Sequence, residues 1–275
     1  MILRLLRYLW QLPILGIVLL WDYMTWLFRF SRHPEKYSLE LRWKRVRRLI
    51  RTLMKILCVR YDVSGKENLK EYDKHFIMTP NHRSIFDALI IIAISDRPLS
   101  FAAKIESYKY PFVGRIIRCL EGVFLDREDL RQQLKMMKII ENDLLTNPKR
   151  DWVIFPEGTR SVDEDPSAML PFHNGSFRIP FNNDYYILPT AIYGSDRVLS
   201  WKYRWRIHVQ VDFGLVYKPS KIGATNSAEL AEYTQIRVAG ALKSIIERDR
   251  EFQKATAKRK KKEIRHQTKT KKKRF

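Results

Sequence analysis

Apolar residues are arranged in three successive patterns along this chain. Residues 8–21 carry no charge, and the apolar character resumes after Asp22, which together matches the ~20 residues that a membrane-spanning helix needs. Over residues 39–57 apolar positions instead recur every three or four residues, which predicts an amphipathic helix. The seven Lys and Arg residues of the 41–55 segment take its opposite face. The sequence therefore predicts an N-terminal pair of membrane-anchoring helices over residues 1–58.

Three features bear on how these helices meet the membrane. Arg4 and Arg7 precede the apolar run, but no small-x-small cleavage site follows Leu20, which favours an uncleaved anchor over a signal peptide. Pro13 and Asp22 leave both a spanning and a re-entrant helix open. The basic face of the second helix is suited to anionic lipid; the alternative is a helix packed against the domain with a solvated cationic face.

The third pattern is an alternation of short apolar runs with helical stretches. The predicted strands cover residues 59–63, 75–78, 100–103, 123–125, 152–155, 186–192 and 207–213, and the predicted helices cover residues 87–94, 128–145 and 228–247. Such an alternation predicts an α/β domain with a central, mostly parallel sheet flanked by helices. We assign this domain to residues 59–250 and a basic tail to residues 251–275. Ligand sites in such sheets lie at the carboxyl ends of the strands.

The net charge narrows the choice of partner. The 275 residues include 52 Lys and Arg against 30 Asp and Glu, a net charge of +22, which indicates a polyanionic partner: nucleic acid, an anionic membrane or a phosphorylated substrate. Residues 254–275 alone carry +11 and the 41–55 segment +7, which leaves +4 on the remainder. A mildly basic body argues against a nucleic-acid-binding core. The tail itself is interpreted as lipid-seeking, with a nucleic-acid arm as the alternative.

Two segments carry the residue types that chemistry requires. His82 and Asp87 are five residues apart at a predicted loop-to-helix junction, where the carboxylate can orient the imidazole as a general base. A buried structural histidine is the alternative interpretation. Glu157, Gly158 and Arg160 follow a predicted strand, and an arginine in such a loop can bind phosphate in a bidentate manner. An ordinary turn with an ion pair is the alternative there.

Four motifs, in this order, make the chain similar to a known family, the 1-acyl-sn-glycerol-3-phosphate (lysophosphatidic acid) acyltransferases. The motifs are Asn81-His82 with Asp87, then Lys104-Ile105-Glu106 with 122–127, then 155–161, and finally 188–192. The resemblance extends from about residue 60 to residue 215. Two positions depart from the family pattern: Arg83 stands where glutamine is common, and the glycine before Phe124 is shifted by one position.

The resemblance implies a reaction and a set of roles. Such enzymes transfer a fatty acyl group from acyl-CoA or acyl carrier protein to the sn-2 hydroxyl of lysophosphatidic acid, giving phosphatidic acid. His82 would be the general base, oriented by Asp87. The implied substrate-binding residues are Lys104, Arg127 and Arg160 around the phosphate, Glu157 on the glycerol hydroxyls or on Arg160, and Gly158 and Thr159 beside them.

The sequence also leads to expectations about cofactors, partners and cellular location. Backbone amides near His82 or Gly158 are the expected oxyanion donors. Neither a cofactor nor a metal ion is expected, because no His, Cys, Asp or Glu cluster has ligand spacing. We expect anionic membrane lipid as a partner, no nucleic acid, and a location on the cytoplasmic face of a membrane. The alternatives are a glycerol-3-phosphate or other lysophospholipid acyltransferase and a non-catalytic basic membrane or nucleic-acid adaptor.

Overall fold

Seven strands form one central sheet in the computed structural model, which describes residues 2–70, 74–126, 129–146, 150–198, 200 and 207–272. The strands are β1 Val59–Ser64, β2 Ile77–Pro80, β3 Leu99–Lys104, β4 Val123–Leu125, β5 Asp151–Val153, β6 Ile187–Tyr193 and β7 Ile207–Phe213. Their order across the sheet is β1-β7-β6-β2-β5-β3-β4. Every neighbouring pair is parallel except β6 and β7. The predicted fold class is confirmed.

Helices precede the sheet and connect its strands. They are α1 Ile2–Asp22, α2 Phe28–Arg32, α3 Leu39–Ile56, α4 Glu67–Lys70, α5 Phe86–Ile94, α6 Pro111–Cys119, α7 Leu130–Thr146, α8 Arg178–Asn182, α9 Pro219–Ile222 and α10 Ser227–Lys272. A π-helical turn, Tyr23–Leu27, joins α1 to α2. The sequence analysis placed no helix at α6, where proline occupies the first turn, a position at which its missing N–H costs nothing.

The last helix continues well beyond its predicted end at residue 247. Residues 248–272 contain neither proline nor glycine and consist largely of lysine, arginine, glutamate and alanine. These residue types have high helix propensity, so nothing in the sequence ends the helix once it has begun. The body of the domain is therefore connected to the basic tail through one helix, α10.

The apolar stripe of α3 faces the core of the protein. Trp43, Val46 and Ile50 are 3 % exposed or less and belong to the same hydrophobic cluster as residues of the sheet. α3 contacts α5, α6 and β1. The arrangement is the packed alternative considered above: the apolar side of α3 is covered by protein, and its basic residues face outward apart from the buried Arg42 and the partly buried Arg47. The hydrophobic core thus crosses the predicted boundary between residues 58 and 59.

α1 presents an apolar surface to the outside. Leu9, Ile17, Leu20 and Trp21 are each more than 60 % exposed. Within the described part of the chain, the continuous helix over Leu9–Arg32 is long and apolar enough to cross a membrane by length and composition, and 17 % of its apolar window is buried. These properties are weakly consistent with membrane association.

Ion pairs of the partly exposed Glu121 carboxylate fasten the start of α3 to the edge of the sheet. The Arg42 guanidinium donates to the carbonyl oxygens of Tyr37 (2.9 Å) and Cys119 (2.5 Å) and pairs with Glu121. Arg150 pairs with the same carboxylate. Burial opposes the charged form of Glu121, but Arg150 and Arg42 outweigh it and lower the pKa of this carboxyl below its usual value. The N-terminal helices are therefore held to the domain by charge as well as by apolar packing.

Candidate active site

Three loops that carry site residues lie side by side at the carboxyl ends of the strands. β5 lies between β2 and β3, and these strands are parallel, so their carboxyl ends lie side by side. His82 follows β2 by two residues, Glu157 follows β5 by four residues, and Lys104 ends β3. The strand order therefore brings together His82 and Glu157, which are 75 positions apart in the chain.

The imidazole of His82 is oriented by Asp87. Nδ1 of His82 lies 2.9 Å from Oδ2 of Asp87, whose side chain is 1 % exposed in the first turn of α5. The same oxygen accepts hydrogen bonds from the amides of Arg83 and Ser84, both at 2.8 Å. Since the carboxylate can only accept, Nδ1 carries the proton and Nε2 remains for a substrate. The His82 side chain is 20 % exposed, as a general base that meets a substrate requires.

Two further residues position His82, and the sequence analysis gave neither a role. The ring of Phe155 stacks on the imidazole with 4.1 Å between centroids and 29° between planes. The Asn81 side chain donates to the carbonyl of Ile192 (3.0 Å) and accepts from its amide (2.7 Å). The available signal was their place in the motifs: Asn81 precedes the histidine, and Phe155 begins the third motif.

Glu157 has protein partners on both oxygens. Oε1 accepts from the amide of His82 at 2.6 Å, and Oε2 accepts from the amide of Leu170 at 2.8 Å. The residue is 1 % exposed, and burial raises the pKa of this carboxyl above its usual value against the opposing effect of the two amides. In place of the predicted contact with glycerol hydroxyls or Arg160, the carboxylate holds the loop of His82.

Two of the predicted phosphate ligands, Lys104 and Arg160, are accessible, and they lie at the carboxyl end of β3 and in the loop after β5. The Lys104 side chain is 53 % exposed and its Nζ pairs with Glu106 at 2.8 Å. Thr159 and Arg160 are exposed. They follow a turn at Gly158, whose φ of 73° lies in the left-handed region that favours glycine. Arg127, the third predicted cation, lies outside the described residues, and its role stays a prediction.

Two of the amides in the region expected to stabilise an oxyanion are already engaged. The amide of His82 donates to Glu157. The amide of Gly158 donates to the carbonyl of Phe155 at 3.0 Å. Neither of these N–H groups has a second hydrogen to offer, and an oxyanion donor among the other amides near His82 or Gly158 stays a prediction.

The described residues contain no cluster suited to a metal ion, since no three His, Cys, Asp or Glu side chains converge among them. Asp87 uses one carboxylate oxygen on the imidazole of His82 and on two backbone amides. The carboxylate of Asp87 and the imidazole of His82 are thus hydrogen-bonded to each other. The expected lack of a metal or cofactor stays a prediction for the chain as a whole.

Comparisons with known proteins show which enzymes the chain is similar to. Residues 60–193 match the family model named Acyltransferase. A probable 1-acyl-sn-glycerol-3-phosphate acyltransferase of Mycoplasma pneumoniae is 28 % identical over 198 residues, which cover 70 % of this chain and 71 % of the relative. The 1-acyl-sn-glycerol-3-phosphate acyltransferase of Saccharomyces cerevisiae is 32 % identical over 142 residues, 51 % of this chain and 45 % of that enzyme.

A solved structure extends the similarity beyond the matched domain. The crystal structure of the 1-acyl-sn-glycerophosphate acyltransferase PlsC from Thermotoga maritima superposes with a TM-score of 0.61 at 27 % identity. The superposition covers 89 % of this chain and 95 % of that protein, so it includes much of the chain on both sides of residues 60–193. The chain therefore carries an acyltransferase domain over residues 60–193 and is similar over most of its length to 1-acyl-sn-glycerol-3-phosphate acyltransferases.

Proposed function

We propose that this protein transfers a fatty acyl group from an acyl thioester to the sn-2 hydroxyl of lysophosphatidic acid, giving phosphatidic acid. The observation that carries the proposal is the His82–Asp87 pair: its 2.9 Å contact fixes the imidazole with Nε2 free for a substrate alcohol. The relatives named for this reaction support the choice of acceptor. A metal-free transfer needs one oriented base and a bound alcohol, and the site supplies the base.

In the proposed reaction the proton and the acyl group move between two bound substrates. Nε2 of His82 removes the proton from the sn-2 hydroxyl as its oxygen attacks the thioester carbonyl. The buried Asp87 carboxylate stabilises the imidazolium that forms. The tetrahedral intermediate then expels the thiolate, which takes the proton back from Nε2 to leave as a thiol. The ester bond forms as the thioester bond breaks, and the imidazole is regenerated.

Accessible cationic side chains would bind the phosphate of the acceptor. Lys104 and Arg160 are assigned to the phosphate because both are exposed, Lys104 at the carboxyl end of β3 and Arg160 in the loop after β5. A guanidinium binds phosphate in a bidentate manner. Arg127 would join them from the loop after β4. Holding the acceptor in this way makes the attack effectively intramolecular, which contributes several kcal/mol, on the order of 7–11 in favourable cases.

The proposed location is the cytoplasmic face of a membrane. The exposed apolar residues of α1 support attachment to lipid. The outward basic residues of α3 support attraction to anionic headgroups, at about 1 kcal/mol for each one near the surface. Acyl-CoA and acyl carrier protein are both retained as donors.

The test is an assay of the full chain, purified in detergent, with three acceptors and two donors. We expect phosphatidic acid from lysophosphatidic acid at a higher kcat/KM than the products of glycerol-3-phosphate or of another lysophospholipid. His82→Ala should lose activity by about 10²–10⁴-fold, and the matched control His33→Ala, which alters a half-exposed histidine, should not. A normal rate for His82→Ala refutes the assigned base. Preference for another acceptor refutes the assigned substrate.

The adaptor alternative predicts the reverse pattern. In that case, deletion of residues 254–275 would abolish function and His82 would be dispensable. Under the proposed function, the same deletion leaves the chemistry intact and weakens binding to anionic vesicles in a salt-dependent way, because the attraction to the tail is screened by salt.

A further inference from the structure

Residues 161–170, called the strap below, run beside the catalytic histidine without forming a helix or strand. The strap begins at Ser161, whose amide donates to the carbonyl oxygen of His82 at 2.8 Å. It ends at Leu170, whose amide donates to Glu157 at 2.8 Å. The other oxygen of that carboxylate accepts from the amide of His82 at 2.6 Å. Both backbone groups of the catalytic histidine are therefore connected to the strap, one directly and the other through Glu157.

The guanidinium of Arg83 holds the middle of the strap. Nη1 donates to the carbonyl oxygens of Asp165 (3.0 Å) and Ala168 (3.2 Å), and Nη2 donates to that of Asp163 (2.5 Å). Arginine carries five N–H donors in a rigid planar fork and has no acceptor, so a single side chain can serve three converging carbonyls. Glutamine, which is common at this position in the family, has two N–H donors on a shorter side chain and cannot serve all three.

Arg83 is also connected to the catalytic pair through its backbone. Its amide donates at 2.8 Å to the same Asp87 oxygen that faces His82. One residue therefore joins the carboxylate that orients the imidazole to the strap that holds the histidine backbone. Its guanidinium is engaged by the carbonyls of the strap and is not directed at a substrate phosphate, although Arg83 is next to the base in the sequence.

We propose that Arg83 is a positioning residue for acyl transfer: by holding the strap, it fixes the backbone of His82 in the geometry that the reaction requires. This inference rests on the proposed function. Displacement of reacting groups by about 1 Å can reduce a rate by roughly 10²-fold. We expect Arg83→Met and Arg83→Gln to lower kcat by about 10- to 100-fold, with little change in the KM for lysophosphatidic acid.

The experiment uses the full chain in detergent and measures kinetics, amide hydrogen exchange and Tm on the same preparations. The variants are Arg83→Met, Arg83→Gln and Arg83→Lys, with Arg131→Met, an exposed arginine of α7, as the matched control. We expect faster amide hydrogen exchange over residues 161–170 in all three Arg83 variants, and exchange at the wild-type rate in the control. Lysine should not rescue kcat, because one ammonium cannot span three carbonyls as the fork does.

Each contrary result has a distinct meaning. If amide hydrogen exchange over residues 161–170 is unchanged in Arg83→Met, then Arg83 does not hold the strap and the proposal is overturned. A higher KM at normal kcat, rescued by lysine, overturns the positioning role and assigns Arg83 to the phosphate instead. If the Met variant does not fold, Arg83→Lys, which keeps the charge and the length of the side chain, decides by the same two readouts. A wild-type chain that makes no phosphatidic acid refutes the proposed function, while the exchange experiment still decides whether Arg83 holds the strap.

Discussion

Replacement of Asp87 by asparagine tests the charge beside the base with little change in shape. Oδ2 of Asp87 accepts three hydrogen bonds, from Nδ1 of His82 at 2.9 Å and from the amides of Arg83 and Ser84 at 2.8 Å each. An asparagine keeps all three only with its amide oxygen in the place of Oδ2, and its NH₂ group then takes the place of Oδ1, which has no hydrogen-bond partner among the described residues. The proton stays on Nδ1, but the negative charge that stabilises the imidazolium is lost. The imidazole is then a weaker base toward the substrate.

The magnitude follows from the loss of general-base catalysis. This contribution is about 10²–10⁴-fold, and at 1.36 kcal/mol for each factor of ten that corresponds to roughly 2.7–5.4 kcal/mol in the activation barrier. The two backbone hydrogen bonds survive in Asp87→Asn, so the free energy of unfolding should fall by only about 1 kcal/mol. Activity and stability therefore separate in this variant: kcat collapses while Tm changes by a few degrees.

The assay is the initial rate of phosphatidic acid formation by wild type, Asp87→Asn, His82→Ala and the double variant. If Asp87 acts only through His82, the double variant is no slower than His82→Ala, because residues that act as a unit are not additive. An independent role for Asp87 would give the product of the two single effects instead. A rate for Asp87→Asn within threefold of wild type would refute the role assigned to the Asp87 charge.

Three further changes test the surroundings of the site. Asn81→Ala should lower the free energy of unfolding by about 1–3 kcal/mol for each buried backbone group of Ile192 that loses its partner, measured by thermal denaturation; an unchanged Tm contradicts this. The lowered pKa of Glu121 contributes stability above its usual pKa that is lost as pH falls through the folded value, so Glu121→Gln should flatten the Tm–pH curve on the acid side of the usual glutamate pKa. Arg160→Gln should raise the KM for lysophosphatidic acid by about tenfold, and an unchanged KM would remove Arg160 from the phosphate site.

Local patterns in the sequence were sufficient for the elements and for the catalytic pair. Strand positions follow from short apolar runs between turn residues, and their alternation with helices allows few arrangements other than a parallel sheet. The His82–Asp87 contact is equally local, because a separation of five residues across the start of α5 leaves the side chains within reach. Such features depend on the nearest neighbours in the chain, and the sequence displays those directly.

The helix α3 shows where a local pattern was ambiguous. An apolar stripe opposite a basic face fits both a helix on lipid and a helix on a domain, since hydrophobic periodicity says that a face is buried and not what covers it. The structure covers the stripe with α5, α6 and β1. Arg42 and Glu121 form an ion pair although they are 79 residues apart in the chain, so no local pattern could indicate this contact.

Supports of the His82 loop were decided by tertiary structure alone. The family resemblance implied that Glu157 is a substrate ligand. The fold buries it and places both its oxygens on backbone amides, one of them 75 residues away in the chain. Arg83 looked like a charge beside the base, and the fold directs it to carbonyls 80 to 85 residues distant. The sequence by itself determined which chemistry is present, because reactive groups are set by residue type and short spacing. Only the order of strands in the sheet decided which of these groups face a substrate and which hold the others in place, because that order sets the neighbours of each loop.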